Sequence, residues 1–207
     1  MSRSRLRIVS MVVVWVLVAG CGGKRPPVHY YTLGPAEVSS STWRSNDDAG
    51  LDVGVNAFHV ELPYARDKIV YRIGEQSPEV AFYAYHRWAG SLSRMMPAVV
   101  SAALAGTPGL RSIEPVAPGS DYRAFLGGRV LALEEVDLPE GQQVRASITL
   151  TLRLDDGTEL WSDVVSGTSS LRTDDVADIV DAMRALLAEL LEGSRPGFEQ
   201  ALSAHSR

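Results

Sequence analysis

Eleven consecutive residues, Val144 to Leu154, set the tightest constraint on how this chain can fold. Val144, Ala146, Ile148, Leu150, Leu152 and Leu154 alternate with Arg145, Ser147, Thr149, Thr151 and Arg153. Successive strand residues point to opposite faces, so the segment predicts a strand with one apolar face and an open Arg/Ser/Thr face. An apolar sheet face must be covered by a second layer. The cover appears further along. Val176, Ile179, Val180, Met183, Leu186, Leu187, Leu190 and Leu191 form one helical stripe opposite Asp174, Asp178, Asp181 and Glu189. Thr173 is expected to cap that helix, Asp174 and Asp175 to suit its dipole, and Gly193 with Pro196 to end it.

Other elements extend this helix-on-sheet unit. Val28 to Leu33 reads as a first short strand rich in β-formers. Gly34 to Gly50, with Ser39 to Thr42 and Asn46 to Asp48, reads as a linker. Val53 to Leu62 is a strand whose apolar phase moves from Val53/Val55 to Phe58/Val60/Leu62, which predicts a bulge near Asn56. Lys68 to Ile73 and Val80 to Tyr85 are two short strands joined by a Gly74–Pro78 turn. Trp88, Leu92, Met95, Val99 and Ala103 then recur at helical spacing up to Gly106 and Pro108, with Pro97 inside. Tyr122 to Glu134 reads as a central strand, with a bend or bulge at Gly127-Gly128. Asp155-Asp156-Gly157 is a hairpin turn signal before Thr158 to Ser166. The expectation is an α+β fold: a mixed or antiparallel sheet of about seven strands with two main helices packed on one face.

The N-terminus places the domain in a cell. Arg3, Arg5 and Arg7 precede an apolar run, Ile8 to Ala19, broken only by Ser10 and too short to span a bilayer comfortably. Val18-Ala19-Gly20-Cys21 follows, which resembles the bacterial lipobox, so residues 1–20 are expected to be a signal peptide and Cys21 a lipidated residue. Several acyl chains, each CH₂ worth about 0.8 kcal/mol, make such an anchor stable. Residues 21–27 form a tether, 28–50 the first strand and Ser/Asp-rich linker, and 51–207 a single domain. Cys21 is the only cysteine, so once lipidated it leaves no thiol for disulfides, zinc or catalysis, and the core alone must hold the fold. Removal of three of the 20 basic residues leaves 17 against 25 acidic ones, near −8. That charge disfavours nucleic acid. Gly22, in place of an aspartate that would resemble an inner-membrane retention signal, points to the outer membrane and its periplasmic face.

Residues that could carry catalysis or hold a metal are scarce. There is no G-x-S-x-G elbow. His29, His59, His86 and His205 are scattered without ligand spacing, so neither metal nor cofactor is expected. Glu134, Glu135 and Asp137 read as a solvated strand end, with neighbouring carboxylates on opposite faces. Trp88 reads as a core residue on the apolar side of its helix. One cluster stands out in an acidic protein: Arg66, Lys68, Tyr71, Arg72, Tyr83, Tyr85 and Arg87. Tyrosine suits interfaces and arginine suits phosphate, so the cluster is a candidate partner-binding site, with core packing the open alternative.

The order of these pieces resembles the ABC-type transport auxiliary lipoprotein family, which includes the lipoprotein of the paraquat-inducible (Pqi) operon. The matching residues are Tyr30-Tyr31-Thr32-Leu33 after the tether, Leu62-Pro63, the basic stretch Arg66 to Lys68, Ile69-Val70-Tyr71-Arg72, Arg87-Trp88, the Asp156-Gly157 hairpin and the C-terminal helix. The resemblance spans nearly the whole mature chain. It implies a non-catalytic docking component of an ABC-type lipid-transport system with MCE-domain subunits, in which some members assemble as rings. Two other readings stay open: a general lipoprotein that assembles or stabilises an outer-membrane complex, and a lipoprotein hydrolase.

Overall fold

The computed structural model describes residues 26–34, 43–45, 50–173 and 175–205. The expected signal peptide, Cys21, most of the expected tether, much of the Ser/Asp-rich linker and Asp174 lie outside the described residues. The elements run β1 (His29–Tyr31), β2 (Trp43–Arg44), β3 (Leu51–Val55), β4 (His59–Val60), β5 (Lys68–Ile73), β6 (Ala81–Trp88), α1 (Leu92–Leu104), β7 (Leu110–Pro115), β8 (Ala124–Leu138), β9 (Gly141–Leu154), β10 (Glu159–Leu171) and α2 (Val176–His205).

The hub is β8. One edge pairs antiparallel with β9 over its whole length. The other edge pairs in parallel with three strands in succession: β3 at Val53↔Ala124, β4 at His59↔Arg129 and β5 at Tyr71↔Glu135. Two wings grow from there, β5–β6–β1 and β3–β7–β2, while β10 lies beyond β9. Both helices sit on one face. α1 packs on β7, β3 and β4, and α2 packs on β10, β9 and β8. The β9 alternation behaves as its sequence predicts: Val144, Ala146, Ile148, Leu150 and Leu152 are fully buried under α2. Each of the Val, Ile and Leu side chains among them contributes about 1.5–3 kcal/mol of burial.

The sheet has ten strands among the described residues, more than the seven expected. β7 and the two-residue β2 were not predicted, and the Val53–Leu62 segment divides into β3 and β4. Its phase shift is a break and not a bulge. Asn56 N–H leaves to Leu126 O at 2.8 Å, and Phe58 N–H turns to Ser93 O in α1 at 3.1 Å. The true bulge lies in β8, between Val130 and Ala132. One extra residue there reverses the alternation, so Ala124, Leu126 and Val130 face the helices before it, and Leu133 and Glu135 after it. Gly128 is required for a different reason: a Cβ there would lie 2.6 Å from the Phe58 ring.

Both helix boundaries differ from expectation. Trp88 ends β6, where the pairs Tyr31↔Trp88 and Lys68↔Arg87 hold the chain extended, and α1 starts only at Leu92. Trp88 is nevertheless a core residue, 3% exposed. Pro97 sits inside α1 without ending it. Proline has no N–H for the carbonyl four residues back, and here that carbonyl, Ser93 O, accepts from Phe58 instead. Likewise Gly193 and Pro196 do not end α2, which continues to His205 because Phe198, Ala201 and Leu202 are buried. Asp175 caps α2: its Oδ1 accepts from Ala177 N–H at 2.9 Å, while Thr173 Oγ1 accepts from Asp175 N–H at 3.0 Å. Arg195 then ties the helices together, donating to Ala105 O and Ala103 O at the open end of α1.

Candidate functional site

The β5–β6–β1 wing carries the candidate cluster, and strand alternation divides it between two faces. Neither helix packs substantially on these three strands. On the face away from the helices, the registers Tyr30↔Arg87 and Lys68↔Arg87 set a tyrosine, an arginine and a lysine side by side across three strands. Arg87 donates to Asp67 at 2.9 Å, and the Arg66 guanidinium lies 5.1 Å from the Phe82 ring centre. Tyr30 is 65% exposed, and Tyr85, Arg66 and Arg87 also reach solvent.

Arg72 lies on this face but is engaged internally. Its guanidinium forks onto both oxygens of Glu134, at 3.4 and 3.3 Å, and bonds Ser77 O. Glu134 is fully buried and also takes Arg145, its cross-strand neighbour on β9. Tyr64 packs over the pair from the 61–67 segment; burial, and then the Glu134 charge, push its hydroxyl up to about 12. A buried carboxylate held by two guanidiniums suits a structural lock, since breaking it would strand charge in the interior.

Tyr71 and Tyr83 occupy the helix-side face, their ring centres 5.0 Å apart. Tyr83 donates to Glu135 Oε2 at 2.5 Å. Glu135 is 1% exposed, and no donor among the described residues reaches its Oε1. Burial raises its carboxyl most, the Tyr83 bond opposes this, and Asp137 adds to the rise. The ring row continues through His86, which stacks on His29 at 5.1 Å and pairs through Nδ1 with the Tyr31 hydroxyl at 2.9 Å. Burial and His29 hold the His86 imidazole below its usual range, against the pull of Asp175.

The expected solvated strand end is thus corrected. Glu134 and Glu135 do face opposite sides, but both are buried, each with its own partner. Sequence reasoning missed Tyr64 altogether, and missed the burial of Glu134 and Glu135; nothing in one dimension marks that burial, because it depends on strands β5 and β6 arriving alongside. Among the described residues, no three His, Cys, Asp or Glu side chains converge as a metal site. No helix among them is long and apolar enough to cross a membrane.

The architecture is shared with solved structures. A protein from Xanthomonas campestris is 15% identical and matches with a TM-score of 0.61, over 86% of this chain and 94% of that one. A hypothetical protein from Chlamydia trachomatis is 9% identical, with a TM-score of 0.51 over 76% of this chain and all of the other. No curated protein matches the sequence. At these identities the likeness establishes the fold alone: a mixed sheet with two helices on one face. The family is established by sequence. Residues 31–193 match the model of the ABC-type transport auxiliary lipoprotein component, and the chain belongs to that family.

Proposed function

We propose that this protein is a non-catalytic docking component of an MCE-linked lipid-transport system, anchored through Cys21 to the outer membrane and facing the periplasm. The carrying observation is the row of Tyr30, Arg87 and Lys68, with the exposed Arg66 and Tyr85 close to it along the chain, on the sheet edge closest in sequence to the anchor. His29 lies eight positions after Cys21, about 27 Å at full extension, so this edge stays close to the bilayer surface. An acidic chain that gathers cations and tyrosines there offers a complementary surface to an acidic partner.

Of the predicted contact residues, Arg66, Lys68, Tyr85 and Arg87 would meet the partner. Tyr71, Arg72 and Tyr83 would hold the wing in shape through Glu134 and Glu135. The ring assembly implied by family resemblance has a candidate seam as well: β10 pairs only with β9 among the described residues, leaving a thirteen-residue edge.

The test is capture of the periplasmic domain of the partner MCE subunit. Arg66→Glu with Lys68→Glu should lower capture about tenfold or more, with an unchanged circular dichroism spectrum, because exposed cations contribute little to the fold. Normal capture by the folded double variant would exclude this edge as the contact.

A further inference from the structure

Among the described residues the two helices leave an open groove between them. It has a volume of about 570 Å³ and is lined by Val99 and Ala103 of α1, by Ala185 and Ala188 of α2, and by Leu33. The alanines create the space, since each stops at one methyl where a longer side chain would bridge the helices. Such walls offer no hydrogen bond, so a polar occupant would lose its water without replacement. One charged pair breaks the pattern. Arg184 lines the groove, donating to Asp181 at 3.0 Å and to Gly34 O at 3.2 Å. Asp181 is 70% exposed, so this is a weakly held surface pair that another anion can displace.

We infer that the groove holds one acyl chain of a glycerophospholipid, with the phosphate against Arg184. The inference deepens the proposed lipid-transport role and rests on it. A slender apolar chain is the occupant that methyl walls accept, and the guanidinium fork matches phosphate oxygens. The charge complement decides between sources. The diacylglyceryl group on Cys21 carries no phosphate, so Arg184 favours a free glycerophospholipid over the protein's own anchor. Position agrees. Leu33 lies twelve residues from Cys21, at most about 40 Å, so the groove remains within reach of the membrane from which a lipid would come.

The experiment uses the full-length anchored protein in cells. The cells are fed a fatty acid carrying a photoreactive diazirine and irradiated, and the modified residue and its adduct are identified by mass, which leaves the methyl walls unaltered. The expected adduct is a glycerophospholipid on the groove, at Ala188 or its neighbours there. Arg184→Glu should reduce it about tenfold, the effect of losing one charge-assisted hydrogen bond; Arg184→Gln should reduce it as well, and both should melt as the parent does. Ser166, on the exposed side of β10, should carry no lipid adduct. A link only to the chain's own Cys21 lipid, equal lipid labelling at Ser166, or no lipid on the groove would each overturn the inference. Intact capture of the transporter subunit without lipid on the groove would sink the groove alone. Lipid on the groove in a chain that captures no subunit would sink the docking role alone.

Discussion

Glu135→Gln should stabilise this protein, and only above the acidic range. Glu135 faces the helix side of β8, buried, with Tyr83 on one oxygen and, among the described residues, no donor on the other. Asp137 lies two residues on, so the β8 alternation puts both carboxyls on one face. Burial first and Asp137 second raise the Glu135 pKa, with Tyr83 opposing. The fold therefore prefers Glu135 protonated. A group whose native pKa lies above its unfolded value, about 4.3 for glutamate, contributes stability fully present below the unfolded value. That contribution is lost as pH rises through the native value, at about 1.4 kcal/mol for each unit of separation. Glutamine keeps a carbonyl for the Tyr83 hydroxyl and places N–H donors where the unpartnered oxygen was, toward Asp137. A buried polar group left unsatisfied costs about 1–3 kcal/mol. The expected gain at pH 8 is thus about 1–2 kcal/mol, or roughly 2–8 °C in Tm for a domain of this size. At pH 4 both proteins are neutral at this position and the gain should vanish. Thermal unfolding followed by circular dichroism from pH 4 to pH 9 measures the difference. A gain independent of pH, or a loss at pH 8, would refute the placement of a proton-bearing carboxyl under Tyr83.

Other outcomes follow from the same structure. Glu134→Ala leaves Arg72 and Arg145 facing each other without their shared carboxylate, and should cost about 3–5 kcal/mol in chemical denaturation. A loss under 1 kcal/mol would mean that water already screens the cluster. Leu187→Asp puts an unpaired charge into the fully buried α2–sheet contact and should abolish cooperative unfolding; a cooperative transition would show that α2 does not pack there. Cys21→Ser removes the thiol proposed to accept lipid, so fatty-acid labelling in cells should fall to background, and persistent label would place the anchor elsewhere.

Some of this fold was legible because its signal is local. The alternation over Val144 to Leu154 and the stripe from Val176 to Leu191 each predict an element and its buried face, since period 2 and period 3.6 are properties of one segment. The basic residues of β5 and β6 could be found the same way, as composition. Their distribution could not. Arg66, Lys68 and Arg87 reach solvent, while Arg72 turns onto Glu134, and the two groups look alike in one dimension.

What remained for the tertiary structure was every outcome that depends on a neighbour distant in sequence. A proline ends a helix only if the freed carbonyl goes unsatisfied and nothing beyond it is buried. Phe58 satisfies Ser93 at Pro97, and the burial of Phe198 and Leu202 carries α2 past Pro196. Trp88 stays extended because β1 and β5 lie on either side of β6. The β8 bulge moves Glu135 from the face its position would imply to the one under Tyr83, and β5 brings Arg72 to Glu134 across 62 residues. By itself the sequence determined which segments are amphipathic and that a lone cysteine follows an apolar run; which charges stay in water was decided by strand pairing, because desolvation depends on what packs against a residue and not on what precedes it.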